Sequence, residues 1–295
     1  MSLLLSCLLA AVGSDDDENF PTTWRMEKGL RVADRRALAP DVHRMDDGTY
    51  RMYYTVTGEG VGSAKSADGL DWTVEKGYRI RGLRHSASYV RGAIGFDLGH
   101  PWLVRLPDKR WRMYLQASTG IDTPLRIVSA ISRDGFDFEM EPGIRIDIGA
   151  SSGPPAISFA GHGRAWRQGD GSWTMVFSGN LWRDMHPSDI MLATSRDGLA
   201  WKIVDTCLYD DGHDPTVLRL TDGRLAIVFA HLRDSLQVGF SIDGLKWSAA
   251  RKIEIFGTDG KAIEEIHGDV ALMRRPDAGL RLMSNDPRGI ASFIP

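Results

Sequence analysis

A turn of the form Ser-x-Asp-Gly, closed by a large aromatic, occurs four times in this chain, and that recurrence limits the fold more than any other feature. The copies are SADGLDW from Ser66, SRDGFDF from Ser132, SRDGLAW from Ser195 and SIDGLKW from Ser241. Asp-Gly between two alternating apolar runs is how a tight turn joins antiparallel strands: the Asp side chain accepts turn amides and Gly takes positive φ. Asp68, Asp134, Asp197 and Asp243 are therefore expected to hold turns, and the aromatics behind them to pack between sheets. A second pattern precedes these turns and occurs five times. It reads DVHRMDDGTYRMYYT from Asp41, WLVRLPDKRWRMYLQ from Trp102, RAWRQGDGSWTMVFS from Arg164, TVLRLTDGRLAIVFA from Thr216 and ALMRRPDAGLRLMSN from Ala271. Its turn aspartates, Asp47, Asp108, Asp170, Asp222 and Asp277, are 61, 62, 52 and 55 residues apart. That spacing suits four-stranded blades with loops of variable length.

Five first hairpins and four second hairpins leave one strand missing at the C-terminus. The segment Trp24-Arg-Met-Glu-Lys-Gly-Leu-Arg-Val32 matches Trp72-Thr-Val-Glu-Lys-Gly-Tyr-Arg-Ile80, the outer strand of the first repeat. The sequence thus predicts an all-β chain, a five-bladed β-propeller over residues 21–295 whose last blade is closed by the N-terminal strand. Closure of this kind removes an exposed sheet edge.

With 295 residues, 42% of them hydrophobic, the chain can bury a full core. A formal net charge of only −3 and the absence of any basic run argue against nucleic acid as a partner. Two cysteines, Cys7 and Cys207, form neither a disulfide framework nor a metal knuckle. The apolar start MSLLLSCLLAAV and the acidic run Asp15 to Glu18 read, within residues 1–20, as an export segment and linker, with Cys7 in a setting similar to a lipoprotein cleavage site. The apolar run is too short for a membrane span. A monomer exported to the periplasm or the cell exterior is expected.

In a propeller the first strand of each blade lines the central channel. Aligning the first strands on their turn aspartates puts Ala39, His100, His162, Asp214 and Asp269 at equivalent places, with Asp41, Asp97, His213 and His267 close by. Charged and imidazole groups converging from several strands imply a polar pocket.

Together with the Asp-Gly turns and strands such as DGTYRMYYT and DGSWTMVFS, this pattern resembles the five-bladed propeller glycosidases of families 43, 32, 68 and 130. The resemblance implies a glycoside hydrolase that cleaves a saccharide with carboxylates at the channel mouth. Ala39-Pro40-Asp41 looks like the first-blade Asp-Pro element with its acid displaced, which makes Asp41 a candidate base or nucleophile. Asp214, in Gly212-His213-Asp214-Pro215, is its expected partner, with Glu265 or His162 as proton donor. The third repeat, PPAISFAGHGRAW, has no carboxylate where family 43 carries one. Asp97, His100, His213, His267, Asp269 and Trp102 are expected to bind substrate, and Trp166 and Trp182 offer further stacking surfaces. No cofactor is expected beyond a structural cation in the channel. The alternatives are a non-catalytic sugar-binding propeller, which needs no matched acid and base, and a metal-dependent enzyme using the channel histidines.

Overall fold

The computed structural model describes residues 20–87, 90–149, 156–181, 188–232, 235–264 and 268–295. The apolar start, Cys7 and the acidic run lie outside them, as do Trp182, Glu265 and His267.

The chain is all-β, without an α-helix among the described residues. After β1 (Thr23–Met26), a first antiparallel meander is built from β2 (Ala37–Arg44), β3 (Tyr50–Val56), β4 (Gly60–Ser66) and β5 (Thr73–Val74), with β6 (Ile80–Arg81) also on β4. The second comprises β7 (Leu98–Arg105), β8 (Trp111–Ala117), β9 (Arg126–Ser132) and β10 (Glu139–Met140). The third is β11 (Ile157–Arg167), β12 (Trp173–Leu181), β13 (Asp189–Ser195) and β14 (Trp201–Tyr209). The fourth is β15 (Gly212–Arg219), β16 (Leu225–His231), β17 (Ser235–Ser241) and β18 (Arg251–Phe256), and the last is β19 (Ala271–Arg274), β20 (Leu280–Asp286) and β21 (Gly289–Ile294).

Apolar side chains on both faces of the middle strands dictate how these meanders pack. In β12 every residue but the last is buried, so this strand needs a neighbour on each side. The hydrophobic core is accordingly divided into clusters lying between successive sheets. One joins Tyr53 and Val61 to Leu103 and Met113, another joins Tyr114 and Ile127 to Met175 and Phe177, and a third joins Val176 and Ile190 to Ile227 and Phe229. Val228 and Val238 pack with Leu272 and Leu282, and Met273 and Met283 pack with Met52 and Tyr54, which returns the series to its beginning. The strands β2, β7, β11, β15 and β19 touch in the same cyclic order. Sheets stacked face to face about a shared axis make a β-propeller.

The Ser-x-Asp-Gly turns serve this packing. In the second copy Asp134 Oδ1 accepts the Ser132 hydroxyl and the amides of Phe136 and Asp137. The glycine, at φ near +70°, turns its carbonyl outward to the preceding sheet: Tyr53 Oη donates to Gly135, Tyr114 Oη to Gly198 and Arg281 Nη1 to Gly69. Asp134→Ala is therefore expected to cost about 1 kcal/mol of unfolding free energy in a urea titration, with no change in ligand binding, because the turn lies away from the axis.

The segment with the outer-strand motif lies on the edge of the last meander. Arg25 and Met26 pair antiparallel with Ile294 and Phe293, and Val32 bridges Ile290. Its side chains repeat the network of the earlier outer strands. Glu27 accepts Arg281 and Ser292, as Glu75 accepts Arg51 and Ser63 and Glu141 accepts Arg112 and Ser129. Trp24 Nε1 donates to the carbonyl three residues back, as do Trp72, Trp201 and Trp247. One feature is additional: β1 also pairs in parallel with β18, joining the fourth and last meanders into a single eight-stranded sheet.

Candidate functional site

The first strands of the first four meanders are bulged at one equivalent place. The register slips between Leu38 and Asp41, Gly99 and Trp102, Gly161 and Arg164, and His213 and Thr216. At the centre of these irregularities, and just before β19, Ala39, His100, His162, Asp214 and Asp269 all have φ between +51° and +54°. Left-handed backbone at a residue with a Cβ costs about 1–2 kcal/mol, so it persists only where neighbours enforce it. They do so here through the amide. Ala39 donates to Asn285 Oδ1, His100 to Thr55 Oγ1, Asp214 to Ser178 Oγ and Asp269 to Asp214 Oδ2. A bulge re-aims the side chain that follows it, and four of the five equivalent residues carry imidazole or carboxylate.

Their side chains form one network. Asp214 Oδ1 lies 2.7 Å from His162 Nδ1, and its Oδ2 lies 3.1 Å from His213 Nδ1 and 3.2 Å from the Asp269 amide nitrogen. Asp269 Oδ1 lies 2.7 Å from His100 Nε2, while Asn285 Nδ2 donates to its Oδ2 at 2.6 Å. The His100 and His162 rings meet edge to face, with centroids 4.3 Å apart. Gly268, at φ +70°, packs against the Asp214 carboxylate so closely that a Cβ there would collide with it. Burial opposes ionisation of Asp214, but the attraction and hydrogen bonds of His162 and His213 outweigh it and hold the carboxyl well below the usual carboxylate range. Burial pushes the His162 imidazole below its ordinary value, against the pull of Asp214. An ionised aspartate accepting the Nδ1–H of a neutral imidazole satisfies both groups.

Of the residues singled out in the sequence, the structure brings His100, His162, His213, Asp214 and Asp269 together. It does not bring Asp41 there. Asp41 follows Ala39 by two positions and is buried, bonded to His43 Nε2 at 2.8 Å and to the Leu103 amide at 2.7 Å. With Trp102, it lines a cavity at the opposite, C-terminal end of the inner strands. The bulge between Leu38 and Asp41 re-aims the residue that follows it, and Asp41 stands further along the inner strand, toward its C-terminal end. Between the two ends runs Arg164, fully buried, donating from Nε to the Pro215 carbonyl and from Nη1 to the Pro101 carbonyl. Asp97 is engaged by Arg84 at 2.8 and 2.5 Å, outside the histidine–aspartate network.

Arg164, Ser178, Thr55 and Asn285 were not anticipated, although each leaves a trace in the sequence. Thr55, Ser178 and Asn285 all stand eight residues after a turn aspartate, polar in otherwise apolar strands, and Arg164 is a charge inside a strand of small and aromatic residues.

Donor atoms of His100, His162 and Asp269 lie within 4.8 Å of one another, and two imidazoles with a carboxylate are a donor set that first-row metal ions accept. Asp269 Oδ2 accepts Asn285 Nδ2, but Asp269 Oδ1, 2.7 Å from His100 Nε2, and His100 Nδ1 are buried without a hydrogen-bond partner among the described residues, so the network keeps unspent donor atoms at this place.

No protein-family model matches the sequence, and no curated protein matches it. Solved structures do. A thermostable family-43 glycoside hydrolase superposes with a TM-score of 0.64 at 16% identity, over 88% of each chain. An α-L-arabinofuranosidase from Lactobacillus brevis gives 0.64 at 14% identity, over 90% of this chain and 92% of the other. An endo-arabinase from Bacteroides thetaiotaomicron gives 0.64 at 12% identity, over 91% and 97%. The chain therefore has the fold of the family-43 glycoside hydrolases.

Proposed function

We propose that this chain is a five-bladed propeller, its last blade closed by β1, and that it hydrolyses glycosidic bonds at the N-terminal end of its inner strands. The observation that carries this reading is the ionised Asp214 bonded to His162, held beside the His100–Asp269 pair by strained backbone on converging strands. Hydrolysis needs one group to take a proton from water and another to return one to the leaving oxygen. His162, kept neutral by burial and oriented by Asp214, takes the proton, and the His100–Asp269 pair supplies the other. This revises the expected pairing of Asp41 with Asp214 and the expected role of His162 as donor.

The fold neighbours include an arabinofuranosidase, an endo-arabinase and a β-1,3-galactosidase, so arabinosides and galactosides are the first substrates to try. Release of the aglycone from an aryl-glycoside panel, or of reducing ends from arabinan and galactan, is the expected result. Saturable sugar binding with no turnover on any of them would favour a lectin. A metal-dependent reading is favoured only by the His100, His162 and Asp269 donor set, and a cation held there would act as a Lewis acid on water. Incubation with EDTA is expected to leave turnover within about twofold. Loss that is restored by zinc would move the chemistry to the metal.

A further inference from the structure

Each inner strand ends in arginine. Arg44, Arg105, Arg167, Arg219 and Arg274 stand three residues before the five turn aspartates, and Arg275 follows the last of them. All six line one cavity of about 680 Å³ at the C-terminal mouth of the channel, opposite the histidine–aspartate network. The cavity wall carries a single carboxylate, Asp41, which is spent on His43 and the Leu103 amide. Outside it, Arg105 meets Asp46 at 2.7 Å and Arg275 meets Asp277 at 2.9 Å, but these acids are 82% and 65% exposed and screen little. Among the described residues, no carboxylate pairs with Arg44, Arg167, Arg219 or Arg274.

Like charges on adjoining strands repel, and a ring of them at the narrow end of a channel focuses positive potential into the space they surround. The same residue type recurs at the same place in every repeat although the loops beyond differ in length. Guanidinium groups present paired N–H donors matched to phosphate and sulfate oxygens. The remaining wall supplies apolar surface, including Trp102, Trp166, Leu218 and Leu272. A site of this volume accommodates one compact ligand rather than a polymer.

We infer that this mouth binds a compact polyanion, a sugar or cyclitol ring carrying several phosphate or sulfate esters, gripped by the arginine ring through its oxyanions and by the apolar wall through its carbon skeleton. The site is independent of the hydrolase reading, since it lies at the other end of the inner strands and shares no residue with the histidine–aspartate network.

Calorimetric titration tests it with inositol hexakisphosphate, sucrose octasulfate and inorganic phosphate as probes. One-to-one binding is expected for at least one ring polyanion, at least about 100-fold tighter than for inorganic phosphate and weakening steeply as salt rises. The arm that binds tells phosphate esters from sulfate esters. A triple variant, Arg167→Ala, Arg219→Ala and Arg274→Ala, is expected to lose at least about 100-fold in affinity. A control triple, Arg36→Ala, Arg81→Ala and Arg288→Ala, removes the same charge elsewhere and is expected to bind like the wild type. These arginines are exposed or half-buried, so both variants fold, as a melting curve verifies. Absence of saturable binding by either ring polyanion overturns the inference. So does equal binding by the two triple variants.

Discussion

Trp24→Ala is expected to cost about 3–5 kcal/mol of unfolding free energy and to lower the melting temperature by roughly 10 °C, because a fully buried indole is removed from the place where β1 pairs with β18 and β21. Trp24 has no exposed surface and packs in the cluster that contains Phe20, Phe240, Ile253 and Phe293. Phe20 precedes β1 and the other three come from β17, β18 and β21, so the cavity would open where the parallel pairing to β18 and the antiparallel pairing to β21 meet. Trp72 occupies the matching place in the first meander but is only half-buried, and Trp72→Ala is expected to cost clearly less. Guanidinium unfolding of both variants checks the order. Equal losses would mean that the N-terminal strand is an ornament on a ring that closes without it.

Asp214→Asn is expected to lower kcat/KM by about a thousandfold with little change in KM. Asparagine keeps the size of aspartate and tolerates the left-handed backbone at φ +52°, so the fold should survive. What it loses is the charge and one acceptor: His162 and His213 both meet oxygens of the carboxylate, and an amide offers only one. Without an anion to accept Nδ1–H, the imidazole is no longer fixed in the tautomer that leaves Nε2 free to take a proton. The pH profile gives a signature that simple damage to the fold would not. Asp214 raises the His162 pKa while burial lowers it, so removing the carboxylate leaves burial opposed only by the weaker pull of Asp269. The acid limb of kcat/KM, where His162 becomes protonated and inactive as a base, should therefore move to lower pH in the variant.

How far the sequence carried depended on whether a feature was repeated. The Asp-Gly turns are local chemistry, so the hairpins were legible from Asp68, Asp134, Asp197 and Asp243 alone, and the self-similarity of Trp24 to Val32 with Trp72 to Ile80 pointed to the edge on which β1 lies. Alignment on the turn aspartates also brings out the five equivalent positions that prove to share left-handed backbone, because a fixed offset in sequence becomes a fixed height on the axis. The facing of the next residue was not legible. Asp41 is two places from Ala39, and without the bulge in view nothing told which mouth it would open to. The parallel pairing of β1 with β18 was equally hidden, since it joins strands whose sequences carry no common signal. Arg164 was passed over because charge inside a strand reads as an exposed position until its partners, here the carbonyls of Pro101 and Pro215, are known.

The claim on which the site rests is that proton transfer belongs to the N-terminal end of the inner strands. It is tested most directly by measuring kcat/KM for Asp214→Asn and Asp41→Asn side by side on whichever glycoside the wild type turns over best. The structure predicts a loss of about a thousandfold in the first and less than about tenfold in the second, because Asp41 faces the other mouth and serves His43 and Leu103. A large loss in Asp41→Asn with activity retained in Asp214→Asn would place the chemistry at the wrong end of the channel and contradict the account.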